Sequence, residues 1–93
     1  DLLIGSGSTA GNPLSVAVQG RYAYVVNDTS KALQVLDISN PITPVVVGSG
    51  SIANGGKVVV VQGIYAYVVS RSDHALQVFD VRNPTKPTRV RSL

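Results

Sequence analysis

The chain has 93 residues, a net charge of +3 and 44% hydrophobic residues, enough for one small domain at most. It has no Cys, which excludes disulfides and thiolate metal sites. It is too apolar for disorder, yet it holds no apolar run as long as a membrane helix. It has no Met and opens on Asp1, so the expectation is a processed chain or a piece of a longer polypeptide, with no signal peptide retained.

In chain order, Leu2-Leu3-Ile4-Gly5 reads as a short strand, followed by Ser6-Gly7-Ser8. Four strands come next: Ser15–Val18, Tyr22–Val26, Leu33–Ile38 and Val45–Gly48. Each is rich in Val, Ile, Leu or Tyr and bounded by Gly, Asn, Asp, Ser or Pro. Gln19-Gly20 fits a tight hairpin, where Gly supplies the positive φ that such turns need. Asp28-Thr29-Ser30 makes the next turn, and Asn40-Pro41-Ile42-Thr43-Pro44 leads into the fourth strand. A Gly-rich link over 49–56 follows. The same four strands then return at Val58–Val61, Tyr65–Val69, Leu76–Val81 and Thr88–Arg91.

The return is an internal repeat. Residues 8–50 align with 51–93 without a gap, and 21 of the 43 positions are identical. Residues 1–7 fit the register of 44–50, so the chain is an extra outer strand (1–7) and two units (8–50 and 51–93). The strands do not alternate apolar and polar: Val58-Val59-Val60-Val61 and Tyr22-Ala23-Tyr24-Val25-Val26 are continuous. Continuous apolar strands need cover on both faces. A four-stranded antiparallel sheet covered on both faces by copies of itself is a propeller blade. The expected fold is therefore all-β, two blades of 43 residues plus the extra N-terminal strand.

Leu33-Gln34-Val35-Leu36-Asp37 and Leu76-Gln77-Val78-Phe79-Asp80, each followed by Asn-Pro-x-x-Pro, resemble the LVIVD repeat, as do the two Gly-x-Tyr-Ala-Tyr-Val hairpins. The resemblance covers nearly the whole chain. It implies a β-propeller repeat of bacterial and archaeal cell-surface or secreted proteins, hence an extracellular or cell-surface location. The last strand departs from the pattern, with Arg89 and Arg91 where the first unit has Val46 and Gly48.

Propellers close with about four to eight blades. Two blades leave an apolar face of several hundred Å² wet at each end, forgoing on the order of ten kcal/mol. The expected partner is thus the chain itself, joined head to tail as a trimer of six blades, a tetramer of eight, or an open filament. Leu2, Leu3 and Ile4 are the candidate assembly strand, placed at the outer edge of a neighbour's second blade with 87–93 peripheral. A fragment or engineered piece of a longer propeller is the alternative, and a monomeric β-sandwich is the rival fold.

No catalytic constellation stands out, and neither a cofactor nor a metal site is expected. His74 is the single histidine, and it lies in a turn beside Asp73. Asp37 and Asp80 recur at the same strand end, which suits carboxylates accepting backbone N–H bonds in the next turn. Gly48-Ser49-Gly50-Ser51 has no Lys-Ser/Thr after it, so a phosphate loop is excluded; it reads as a strand end and linker. Gln19, Gln34, Gln62 and Gln77 recur one unit apart and read as structural. Tyr22, Tyr24, Tyr65 and Tyr67 are expected to pack between blades. The basic residues Arg82, Lys86, Arg89 and Arg91 cluster near the C-terminus away from the four tyrosines. They read as a solvated edge, and nucleic acid is not an expected partner. Membrane insertion is not expected either. The loops where the units differ form the candidate ligand face for a glycan or a protein: Asn27, Asp28, Lys31, Asn54, Arg71, Asp73 and His74.

Overall fold

The computed structural model describes residues 12–53, 55–70 and 75–92. It places eight strands: β1 (Pro13–Gln19), β2 (Tyr22–Asn27), β3 (Ala32–Asp37), β4 (Val45–Ser51), β5 (Gly56–Gln62), β6 (Tyr65–Ser70), β7 (Leu76–Asp80) and β8 (Thr88–Ser92). They form two four-stranded antiparallel sheets, β1-β2-β3-β4 and β5-β6-β7-β8. The described residues contain no helix. The extra strand expected over 1–7, with Leu2, Leu3 and Ile4, lies outside the described residues.

Local chemistry fixes each turn. Gly20 (φ 63°) and Gly63 (φ 62°) take the left-handed conformation that closes the two matching hairpins. The Asn-Pro segments are Asx turns: Asn40 Oδ1 accepts from the Ile42 N–H, and Asn83 Oδ1 from the Thr85 N–H, each at 3.1 Å. Asp37 and Asp80 accept from the backbone N–H two residues on, at 2.8 and 2.9 Å, which is the turn role expected of them.

Cross-strand register puts directly paired residues on the same face. In the first sheet, Ala17, Tyr24, Val35 and Gly48 share one face, here the tyrosine face. Val18, Ala23, Leu36 and Val46 share the other, the alanine face. In the second sheet, Val60, Tyr67, Val78 and Arg91 lie on the tyrosine face, and Val61, Ala66, Phe79 and Arg89 on the alanine face.

The main core forms where the tyrosine face of the first sheet meets the alanine face of the second. Tyr24, Val26, Leu33 and Val35 pack with Val59, Ala66, Val68, Phe79 and Val81, and Ile52 from the link joins them. A smaller buried cluster, Ala23, Val25 and Leu36, sits on the alanine face of the first sheet.

The link is shorter than 49–56 because β4 runs on to Ser51. Gly50 joins Gly48 as a strand residue rather than linker. The reason is steric: a Cβ on Gly48 would collide with the backbone oxygen of Pro84, and one on Gly50 would sit 2.8 Å from that of Pro87. The segment before β8 crosses β4 so closely that only glycine fits.

Candidate functional site

The most developed polar geometry lies along the contact between the sheets. Gln19, at the end of β1, donates from Nε2 to the Gly63 carbonyl at 2.7 Å and accepts the Gly63 N–H on Oε1 at 2.9 Å. One side-chain amide thus satisfies both backbone groups of a hairpin turn in the other sheet. Gln77 does the same for the link, donating to the Ala53 carbonyl at 2.9 Å and accepting the Ala53 N–H at 3.1 Å. Ser15 Oγ accepts a longer bond, 3.4 Å, from the Val59 N–H. Apolar area supplies the attraction, and these amide clasps fix how far one sheet can slide over the other.

Each sheet has one mated face and one that no sheet covers among the described residues. On the tyrosine face of the second sheet, Val58, Val60, Val69 and Val90 are exposed. Tyr65 is exposed, Tyr67 is half-buried, and their rings meet edge to face at 6.4 Å. Tyr24, by contrast, is buried between the sheets, with Tyr22 packed beside it, and burial raises the pKa of the Tyr24 hydroxyl. On the alanine face of the first sheet, Val16, Val18 and Val46 are exposed around the small buried cluster. Gln62, the counterpart of Gln19, is exposed and has no turn to hold among the described residues.

The loop-end candidates are only partly brought together. Asp28 and Lys31 lie at one end of the sandwich, both near Gly55 of the link, and Lys31 takes a left-handed φ of 51°. The Lys31 carbonyl accepts from the Ile52 N–H at 2.9 Å, which ties this turn to the link. Asn27 is not at the loop tip. It closes β2, is fully buried, and donates from Nδ2 to Gln34 Oε1 at 2.9 Å. It belongs to the framework because β2 runs one residue further than its apolar run indicates. Asn54, Arg71, Asp73 and His74 lie outside the described residues.

At the opposite end, two matching open hollows flank the strand ends. One of about 310 Å³ is lined by Asp37, Ser39, Asn40, Thr43, Val45 and Val47. The other, about 340 Å³, is lined by Asp80, Arg82, Asn83, Lys86, Thr88 and Val90. Their carboxylates are held in the charged form. The Ser39 hydroxyl, the Ser39 backbone N–H and then the Arg21 guanidinium bring the Asp37 pKa down to about 2. The Arg82 side chain and backbone N–H lower that of Asp80. Each carboxylate raises its arginine in return, through ion pairs of 2.9 Å to Arg21 and 2.7 Å to Arg82. A carboxylate kept ionised beside a guanidinium is a turn lock rather than a poised acid or base. No group of three or more His, Cys, Asp or Glu that could hold a metal occurs among the described residues. No helix there is long and apolar enough to cross a membrane.

Two residue types carry more than the sequence reading gave them. The one-unit recurrence of the glutamines signalled structure, but not that Gln19 clasps the neighbouring sheet. The change from Gly48 to Arg91 was visible, but not that the glycine is forced by a crossing backbone.

Two stacked four-stranded antiparallel sheets related by a 43-residue repeat are blades of a β-propeller. The LVIVD repeat model matches residues 10–51 and 55–93, and the chain belongs to that family. No curated protein and no solved structure matches it.

Proposed function

We propose that the chain is a non-enzymatic propeller unit whose copies associate head to tail into a structural or ligand-binding scaffold, outside the cell or at its surface. The observation that carries this reading is the pairing of unlike faces. The first sheet offers its tyrosine face to the alanine face of the second. Both sheets own both faces, because they are repeats. One mated pair therefore leaves a tyrosine face on the second sheet and an alanine face on the first, the two halves of the interface already made inside the chain.

A heterologous contact of this kind propagates. Three chains would give a ring of six blades, four a ring of eight, and a rotation that does not close would give a filament. Exposed valines and a tyrosine on the second sheet supply the apolar surface to be covered. Gln62 and Gly20 stand ready to repeat the clasp of Gln19 with Gly63, since Gly20 keeps the same left-handed turn at the surface. On such a scaffold, the end carrying Asp28 and Lys31 would face a glycan or a protein ligand.

Native mass spectrometry of the purified chain tests the reading. A discrete trimer, tetramer or concentration-dependent ladder is expected. A single chain near 9.7 kDa at all concentrations would overturn self-assembly and assign the open faces to further blades of a longer polypeptide. Glycan-array binding would support the ligand role, and silence there would leave the scaffold role alone.

A further inference from the structure

We infer that the hollow of the second blade binds an acidic sugar, a saccharide ring bearing a carboxylate or a sulfate, and that the matching hollow of the first blade does not. The site lies at the end of the sheets opposite Asp28 and Lys31, and it stands whether or not copies of the chain associate.

The two hollows are lined by equivalent positions of the repeat. Asp37, Asn40 and Val47 of the first return unchanged as Asp80, Asn83 and Val90 of the second. The remaining lining residues change together: Ser39 becomes Arg82, Thr43 becomes Lys86 and Val45 becomes Thr88. Size is therefore kept, about 310 Å³ against about 340 Å³, while charge is not. In the first hollow, Arg21 from the neighbouring hairpin offsets Asp37, and the lining holds no cation. In the second, Ile64 stands at the position of Arg21, Arg82 offsets Asp80 from within the lining, and Lys86 is the surplus. Lys86 is exposed and makes no ion pair among the described residues. Thr88 pairs with Asp80 and Arg91 with Val78, so Arg91, where the first blade has Gly48, adds an exposed cation to the same face of β8. Surplus positive charge in a concave polar wall favours an anion.

The free hydrogen-bonding groups ask for more than a bare anion. Arg82 turns Nε and Nη2 to the Asp80 carboxylate, which leaves Nη1 for an outside acceptor. The Lys86 ammonium and the Asn83 amide nitrogen are donors as well, since the Asn83 contacts to Thr85 use only Oδ1. The Thr88 hydroxyl donates to the Lys86 carbonyl at 3.1 Å, so its lone pairs stay free to accept. An oxyanion would take the donors, and a neighbouring ligand hydroxyl would take the Thr88 oxygen. Tyr65 pairs with Asp80 across the strands and is 38% exposed on the same face, where its ring offers a platform for the apolar side of a sugar. The hollow also survives blade stacking. The first one is open although the tyrosine face of its blade is mated, so a neighbour on the second blade would leave this end accessible.

Calorimetric titration of the full-length chain tests this with a uronic-acid trisaccharide, a sulfated disaccharide, a neutral trisaccharide and inorganic sulfate. At least one acidic sugar is expected to bind about tenfold tighter than both the neutral sugar and inorganic sulfate, and the two acidic arms tell carboxylate from sulfate. Lys86→Thr installs the residue of the first blade. It keeps both backbone contacts of that position, the Lys86 N–H to the Asn83 carbonyl at 3.0 Å and the Thr88 hydroxyl to the Lys86 carbonyl. It is expected to weaken the acidic sugar about fivefold and to make binding less sensitive to salt. Ser39→Arg combined with Thr43→Lys is expected to add a second site, in the first hollow. The assignment is overturned if neither acidic sugar outbinds the neutral one, if inorganic sulfate binds as tightly, or if Lys86→Thr changes nothing. Assembly mass is a separate readout, so failure here leaves the head-to-tail reading in place.

Discussion

Val26 and Val69 occupy the same place in two copies of one sequence, yet Val26 is fully buried and Val69 is 45% exposed. Tyr24 is buried while Tyr67 is half-buried, and Gln19 grips a neighbouring turn while Gln62 is exposed. The two blades share strand sequence, hairpin geometry and Asx turns, so propensity cannot account for the difference. What differs is position in the stack: the tyrosine face of the first blade has a neighbour, and that of the second has none among the described residues. A repeat residue here has no fixed energetic value; the blade next to it sets that value.

Paired substitutions test this directly. The largest contrast is expected at the close crossing. Gly48→Ala must push the Pro84 backbone away from β4 and is expected to cost about 3 kcal/mol, read by urea denaturation. Arg91→Ala, at the same repeat position, changes an exposed side chain and is expected to stay within about 0.5 kcal/mol. Equal effects would mean that the blades do not pack as described. The valine pair comes next. Val26→Ala removes two buried methyl groups and leaves a cavity, for about 2 kcal/mol. Val69→Ala is expected to cost less than about 1 kcal/mol in the single chain, with the cost growing with protein concentration if assembly covers it. A smaller contrast separates the clasps. Gln19→Ala leaves two turn groups unpaired and is expected to cost about 1 kcal/mol. Gln62→Ala is expected to leave the melting of the single chain unchanged and to weaken only association.

The sequence made local structure legible and contacts between blades much less so. Hydrophobic runs, turn residues and the 43-residue offset located the eight strands of the described residues, and Asp37 and Asp80 announced their turn roles, because those causes act within a few residues. Tyr24 was placed between blades by its continuous apolar setting. Glycine ordinarily ends a strand, so the sequence stops the fourth strand at Gly48 and gives Gly50 to the link; the backbone that requires glycine at both positions lies some thirty-six residues further on. Asn27 was read as a loop tip for the same reason. Its polarity is local, whereas its burial comes from β1, from β3 and from the Gln34 amide. The candidate ligand face stays the least legible part, because its defining feature is difference between units, and difference carries no geometry.

The smallest expected effect separates the two turn locks. Asp37 and Asp80 hold equivalent turns, but Asp37 draws on the Ser39 hydroxyl, the Ser39 N–H and Arg21, whereas Asp80 relies on Arg82 alone. A carboxyl whose pKa is lower in the folded chain than in the unfolded one stabilises the fold above its unfolded value, and that contribution is lost as pH falls through its folded value. For Asp37 the window runs from the ordinary 3.8 down to about 2. Asp37→Asn is therefore expected to melt below wild type at neutral pH, and the gap should narrow as the solution is acidified through that window. Asp80→Asn should follow the same direction. Both ion pairs face solvent on the arginine side, with Arg21 59% and Arg82 68% exposed, so added salt should shrink the arginine share of each gap and leave the backbone share. A salt-insensitive gap at Asp80 would show that the Arg82 backbone N–H, rather than its guanidinium, holds that turn.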